Sequence, residues 1–389
     1  MELYSDFKRK DDISRLVSAI DSEVRNPVNI MEICGGHTHS IMKYGLNTLL
    51  KDKINFLHGP GCPVCVMPAK RIDEAITIAD SPDVILAAYG DMMRVPGTES
   101  SLIKERAKGR YVRMVYSPLD IIKIALDKAS KDKKIVFFAI GFETTTPMTA
   151  ALLEEVISKG INNVFFHINH VLVPPPINAI LDSGDNSIDG FICPGHVSVM
   201  TGSGIYDDIP DKYGKAAVIA GFEPYDILSA VLLIARQINE NRPAVEIAYK
   251  RAVKESGNKK AQTLADKYFA VRDEFEWRGF GNIPKSGLKL RDEFKNFDAE
   301  YVFKDKLKEL ELRLNTGYAG LTGKADGKVI TSGADIENAL CKCGEILKGK
   351  SKPDDCPLFG KICYPENPIG ACMVSFEGAC AAYYKYRNF

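Results

Sequence analysis

KIVFFAIGFETTTPMTAALLEEVISKG, residues 134–160, joins a short apolar, β-rich run to a polar turn and then to a helical pattern that stops at Gly160. That is one strand-to-helix unit, and the chain repeats it. Before it stand VNIMEIC (28–34), INFLHG (54–59), DVILAAYG (83–90) and YVRMVYS (111–117). After it come NVFFHIN (163–169), DGFICPG (189–195) and AAVIAG (216–221). Helical patterns lie between several of these runs, as in KRIDEAITIAD (70–80) and SPLDIIKIALDKASK (117–131). Such alternation predicts an α/β fold with parallel sheets. Two sets of four strands predict two similar α/β domains, residues 1–130 and 131–240, facing a central cleft.

From about residue 246 the texture changes to long charged helical stretches, VEIAYKRAVKESGNKKAQTLADKYFAVRDEFEW, and then to the Gly/Pro-punctuated link RGFGNIPKSG. Residues 241–389 are therefore expected to form a third, helical and cysteine-rich domain. Its last stretch, 341–389, holds six of the ten cysteines.

Composition excludes several classes. With 45% hydrophobic and 26% charged residues over 389 positions, the chain is globular and long enough for two or three domains. Lys plus Arg and Asp plus Glu are equal at 51 each, so no global field favours nucleic acid or an anionic membrane. The charged N-terminus MELYSDFKRKDDISRL has no apolar core, and runs such as IVFFAI (135–140) fall far short of the roughly 20 residues that span a bilayer. A cytoplasmic protein is expected. Cysteines grouped as CxxC and CxC suit metal or redox use in a reducing compartment better than a secreted disulfide framework.

In open α/β sheets ligands bind beyond the carboxyl ends of the strands, and the polar or Gly-rich motifs of this chain follow its strands. CGGHTH places Cys34, His37 and His39 after the first run. Gly35 and Gly36 remove side-chain bulk, so another molecule or backbone can approach the sulfur, and His37 could lower the thiol pKa or join it on a metal. GPGCPVC places Cys62 and Cys65 at a strand-to-helix boundary, where a helix N-terminus lowers a thiol pKa and a reversible disulfide closes easily. The pair could equally supply two metal ligands, and its glycines and prolines predict an exposed turn. Three thiols from two neighbouring strand ends point to soft-metal and redox chemistry rather than hydrolysis.

In GFETTTP, Glu143 and Thr144, Thr145 and Thr146 offer a carboxylate and three hydroxyls at a helix start. They serve either as an N-cap before Pro147 or as hydrogen-bonding groups for a ligand in the cleft. His196 in CPGHVSV and Asp91 in YGDMMRVPG end strands facing the same cleft. Cys193 reads as a small buried residue, and the Pro run after His167 and His170 argues against a helical ligand pair. At the C-terminus, Cys341, Cys356, Cys363 and Cys380 give C-x14-C-x6-C-x16-C. Four thiolates satisfy an iron-sulfur cluster, and Cys343 and Cys372 are left over as inert thiols or a redox pair. Zinc is the alternative, although two CxxC knuckles would be usual there.

Taken together, MEICGGHTHSIMKYG, HGPGCPVCVMP, YGDMMRVPG, GFETTTPMTA, PGHVSVMTG, CKCGEILKG and CPLFGKICYPENPIGACMVSFEGACAAYY resemble the HypD family of NiFe-hydrogenase maturation factors, over about residues 11–387. The resemblance implies a scaffold on which the Fe(CN)2CO unit of the hydrogenase is assembled with the chaperone HypC. Cyanide then arrives on a cysteine of HypE, which the carbamoyltransferase HypF supplies. It implies iron on Cys34 with His37 as neighbour, the CPVC pair at Cys62 and Cys65, and a 4Fe-4S cluster on Cys341, Cys356, Cys363 and Cys380. Cys343 and Cys372 then form a nearby dithiol, with the CxC at 341 and 343 leaving open which of the two is the ligand. The expected mechanism has the C-terminal dithiol re-reducing Cys62 and Cys65 by thiol-disulfide exchange, which requires the C-terminal domain to reach the CPVC turn. Two rivals are a stand-alone iron-sulfur disulfide reductase and a zinc-stabilised binding protein.

Overall fold

The computed structural model describes residues 10–184, 187–317, 324–325, 328–329 and 340–387; residues 1–9 of the charged N-terminus lie outside them. All eight expected strands form: β1 (Val28–Glu32), β2 (Ile54–His58), β3 (Val84–Tyr89), β4 (Val112–Val115), β5 (Lys134–Gly141), β6 (Val164–His170), β7 (Gly190–Pro194) and β8 (Ala216–Ala220). A short β9 (Val245–Ile247) follows. They build two wholly parallel sheets, ordered β2-β1-β7-β8-β9 and β4-β3-β5-β6.

The strands do not divide at residue 130. The chain lays down β1 and β2, leaves to build the whole of the second sheet, and returns with β7, β8 and β9 to complete the first. The expected division into 1–130 and 131–240 is thus corrected, and β9 shows that the first sheet extends past 240. The physical reason lies in β1. Its Ile30, Met31 and Glu32 are fully buried, so the strand needs a neighbour on each side. Ile30 pairs with Phe56 of β2 and with Gly190 of β7. Periodicity reveals a buried strand but not which partner, here 160 residues away, will fill its second edge.

The expected long helices after 246 are also shorter. Gly257, at φ +62°, breaks the pattern, and the Asn258 side chain caps a helix Lys259–Tyr268 by accepting from Ala261 N–H. Two antiparallel pairs follow, Phe269–Val271 with Leu288–Leu290 and Glu274–Trp277 with Gly281–Pro284. Among the described residues no helix is long and apolar enough to cross a membrane.

The C-terminal segment docks on loops that leave both sheets. Asp91, after β3, accepts from Ser375 Oγ at 2.7 Å, and Arg94 donates to Val374 O at 2.8 Å. Tyr386 OH and His39 Nε2 are 3.0 Å apart. One apolar core runs through Met31, Val66, Met92, Ile346 and Met373, and Cys62, Cys65, Cys343 and Cys372 lie within it.

On the far side, the buried Arg71 in the helix Ala69–Ala79 donates to Glu74 (2.7 Å), Glu300 (2.7 Å) and Asn169 (2.5 Å), fastening that helix to β6 and to the segment beyond it. Arg71→Met should leave Glu74 without its guanidinium and Glu300 with Arg272 as its remaining cation, and should lower the unfolding free energy by about 3 kcal/mol, read as a fall in the denaturant midpoint.

Candidate functional site

Cys34 lies just past the carboxyl end of β1 and is the N-cap residue of the helix Gly35–Lys43, with extended backbone. Its carbonyl accepts from His37 and Thr38 N–H, and its own N–H donates to Glu32 Oε2 at 3.1 Å. Its Sγ stands 3.7 Å from His196 Nδ1. Both glycines that follow are required by close approaches. A Cβ on Gly35 would sit 2.1 Å from Glu377 O, and one on Gly36 would sit 2.8 Å from the Phe222 ring and 3.5 Å from the Cys34 sulfur. The room expected for an incoming backbone is thus filled, at Gly35, by this chain's own C-terminal segment.

Burial pushes the Cys34 thiol well above its usual range, with the Glu377 carboxyl adding to it. The expected lowering by His37 does not occur, because His37 is itself neutral: burial, then His196, brings its pKa down to about 4. His37 Nε2 donates to Gly221 O (3.0 Å) and Ala220 O (3.3 Å). Both partners are carbonyls, so Nε2 carries the proton and Nδ1 keeps its lone pair. That Nδ1 is buried without a partner. Burial likewise brings His196 to about 4, and both imidazoles lie against Phe222, with centroids at 4.9 and 5.2 Å. A neutral imidazole whose other nitrogen donates to a carbonyl is the form that ligates metals. Among the described residues no group of three or more His, Cys, Asp or Glu side chains is placed to hold a metal ion. His39 packs on Phe376 and Tyr386 and serves the docking of the C-terminal helix.

The CPVC turn is buried rather than exposed. A Cβ on Gly61 would fall 2.3 Å from the Cys34 backbone nitrogen, so the turn lies directly on Cys34, and Cys62 and Cys65 are 2% and 1% exposed. Cys65 N–H donates to Cys62 Sγ at 3.3 Å. Beyond the turn the thiols form a continuous line. Cys65 hydrogen-bonds Cys62 and Cys372, Cys372 bonds Cys343, and Cys343 bonds Cys341 and Cys380. The Cβ missing from Gly370 would lie 2.6 Å from Cys343 Sγ and 2.7 Å from Cys341 Sγ. Cys363 Sγ accepts from Ile369 N–H at 3.4 Å, and Cys356 is buried at the start of the same loop. The sequence suggests a lowered thiol in the CPVC pair. Instead burial raises Cys65, and the lowered thiol is Cys372, towards which Cys343 and Cys65 direct their hydrogen bonds.

Glu143, after β5, accepts from Val173 N–H at 3.0 Å through Oε1, while Oε2 is buried without a partner. Burial pushes its carboxyl up to about 7. The expected threonine cap is absent: Thr145 holds the N-cap position without a side-chain bond, and Thr146 Oγ1 donates back to Phe142 O. Cys193 is buried as expected, and His167 and His170 are bound to Glu74 and Thr149.

Sequence reasoning misses Glu32, His58 and Tyr383, whose side chains form a connected set behind Cys34. A signal was available in the acid that ends one strand and in the histidine that ends the next.

The family model described as HypD, "Hydrogenase formation hypA family", matches residues 11–387. The chain is 46% identical over 398 aligned residues to hydrogenase maturation factor HypD2 of Bradyrhizobium diazoefficiens, covering 100% of this chain and 98% of that one. It is 46% identical over 376 residues to hydrogenase maturation factor HypD of Rhodobacter capsulatus, covering 96% and 93%. With the protein of the same name from Escherichia coli K12 the identity is 39% over 395 residues, covering 100% and 99%.

Glu143 has a thermodynamic signature. From about pH 4.5 to about pH 7 the folded protein keeps a proton that the unfolded chain has lost, so the wild type loses stability as pH rises through that window. Glu143→Gln should remove this component. Urea midpoints of the two proteins should diverge with rising pH, the variant gaining up to about 3 kcal/mol relative to wild type by pH 7.

Proposed function

The chain belongs to the HypD family of hydrogenase formation proteins, and from that premise we propose that it is the scaffold on which a hydrogenase iron centre receives its cyanide and CO ligands. Iron is the cargo, held by the Cys34 thiolate, with His37 and His196 as the nearest imidazoles and the chaperone HypC completing the coordination. A site recessed among Cys34, His196 and Phe222, with few protein donors, suits a cargo whose remaining ligands come from partners. HypE, charged by HypF, brings cyanide as a thiocyanate. The protein works in the cytoplasm.

The observation that carries this reading is the unbroken line of thiols from the CPVC turn, which lies on Cys34, to the C-terminal cysteines. Freeing cyanide from a thiocyanate breaks the S–C bond and takes two electrons, giving a thiolate on HypE and a cyanide ion for the iron. Cys62 and Cys65 supply the two electrons, release two protons and close a disulfide. The Cys372 thiolate attacks the Cys65 sulfur, freeing Cys62. Cys343 then attacks Cys372, freeing Cys65 and leaving the disulfide between 343 and 372. The contact of Cys372 with both Cys65 and Cys343, and its lowered thiol, suit it to this place in the exchange.

The C-terminal donors also fit a 4Fe-4S cluster. Cys341, Cys343 and Cys380 adjoin one another, and Gly370 leaves space where a side chain would meet two of the sulfurs. Cys341, Cys356, Cys363 and Cys380 would hold it. When bound it would supply one-electron chemistry that thiols lack, beside the disulfide of 343 and 372, whose reduction takes two electrons and two protons from an external reductant. The Cys343–Cys372 contact supports Cys343 as the redox partner and Cys341 as the ligand.

Cys34→Ala should abolish the iron-cyanide infrared bands of the purified HypC complex while the visible absorbance of the cluster stays; Cys363→Ala should do the reverse. Retention of the cyanide bands in Cys34→Ala would be fatal to the assignment, and reduction of a small disulfide without those bands in the wild type would favour a stand-alone reductase. Cys372→Ser should permit a single transfer and then stall, with the disulfide between 62 and 65 accumulating in peptide maps made under non-reducing conditions.

A further inference from the structure

We propose that Tyr383, His58 and Glu32 form a hydrogen-bonded strap through which the C-terminal helix positions Cys34 for iron; the proposal rests on the role given to Cys34 above. Glu32 is a wholly buried carboxylate in β1. Its Oε2 accepts from Cys34 N–H at 3.1 Å, and its Oε1 accepts a short bond from the Thr38 hydroxyl and one from His58 Nδ1 at 2.6 Å. His58 ends β2 directly opposite Glu32 in the parallel register. With Nδ1–H committed to the carboxylate, His58 Nε2 is the acceptor for Tyr383 OH, 3.0 Å away. The two rings meet edge to face, centroids 5.2 Å apart. The strap thus runs from Tyr383 through His58 and Glu32 to the Cys34 amide, joining the C-terminal helix to two neighbouring strands near the start of the chain.

The sheet itself has no need of this arrangement. A buried carboxylate costs several kcal/mol of desolvation that an apolar residue at position 32 would avoid. What the acid provides is a fixed acceptor for the one backbone N–H whose direction sets the Cys34 side chain. Tyr383 lies one turn beyond Cys380 on the helix Ala379–Tyr386, so the element carrying a cluster cysteine also carries the outer end of the strap. That end faces a cavity of about 110 Å³ lined by Asn55, Lys51 and Lys352 among others. Tyr383 is therefore at the rim of the core, and losing its hydroxyl need not disturb the packing inside. Glu32, His58 and Tyr383 are positioning residues: none is assigned a contact with the iron.

Tyr383→Phe deletes one oxygen and keeps the ring. In the full-length protein, amide hydrogen exchange of the peptide containing Cys34 should quicken about fivefold, the loss of one net hydrogen bond. The iron-cyanide infrared bands of the HypC complex should shift or weaken, while the visible absorbance of the cluster is unchanged. Glu32→Gln, which keeps the shape but cannot accept from all three donors, should have the larger effect on both measurements. Unchanged exchange in both variants would overturn the strap, and altered exchange with unchanged infrared bands would overturn its role in positioning Cys34 for iron. If Cys34→Ala keeps the bands, it is the iron reading that falls, whatever the exchange rates show.

Discussion

β1 has parallel neighbours on both edges, and the rest of the site depends on that pairing. Parallel strands all end on the same side of a sheet, so whatever follows β2, β1, β7 and β8 must emerge together. The four loops are the CPVC turn, the Cys34 helix start, the His196 helix start and the Gly221–Phe222 turn. Had β1 been an edge strand, Cys34 would have met either the CPVC turn or His196, but not both. As it is, Gly61 lies against the Cys34 backbone on one side and His196 approaches its sulfur on the other.

Burial then decides what the thiols can do. A free thiol taken out of water resists ionisation, and burial raises Cys34 and Cys65 well above their usual range, while the Cys343 hydrogen bond, then burial, does the same for Cys380. Such groups are poor free nucleophiles, which weakens the hydrolytic reading considered from the sequence. They become thiolates when a metal displaces the proton, or in concert with a neighbouring sulfur. Cys372 differs because two neighbouring thiols direct hydrogen bonds to it, Cys343 from the C-terminal segment and Cys65 from the CPVC turn. Local desolvation and local hydrogen bonding thus give chemically identical side chains different acidities.

Much of this was legible in the sequence, and the part that was not has a common cause. Strands were legible because a buried parallel strand is a short apolar run, and the motifs that follow them were legible because only loops tolerate such concentrations of Gly, Pro, His and Cys. Partnership between distant segments was not. The pairing of Ile30 with Gly190, the occupation of the space beside Gly35 by Glu377 and the approach of Cys65 to Cys372 join segments more than 100 residues apart, and the contacts of Cys372 with Cys343 and of Gly61 with Cys34 join segments more than 20 apart. Glu32 was hidden for a subtler reason. One acid at the end of a strand resembles an exposed position, and the histidine opposite it on β2, with the Thr38 hydroxyl and the Cys34 amide, explains why it can be buried.

The same non-locality gives the molecule its coherence. The C-terminal segment carries six cysteines on little regular structure, and it could not hold their spacing unaided. It borrows rigidity from the sheets: Asp91 and Arg94 fix Ser375 and Val374 just beyond Cys372, His39 and His58 anchor Tyr386 and Tyr383, and Gly35 admits the backbone of Glu377. These anchors come from the helix start after β1, from the end of β2 and from the loop after β3, so both sheets hold the segment. The contact between Cys65 and Cys372 is therefore a consequence of docking rather than of any attraction between two sulfurs, whose weak hydrogen bond could not by itself hold two segments together. Placement of Cys372 against Cys65 and placement of Cys34 are set by one interface, so a displacement of the C-terminal segment must alter both.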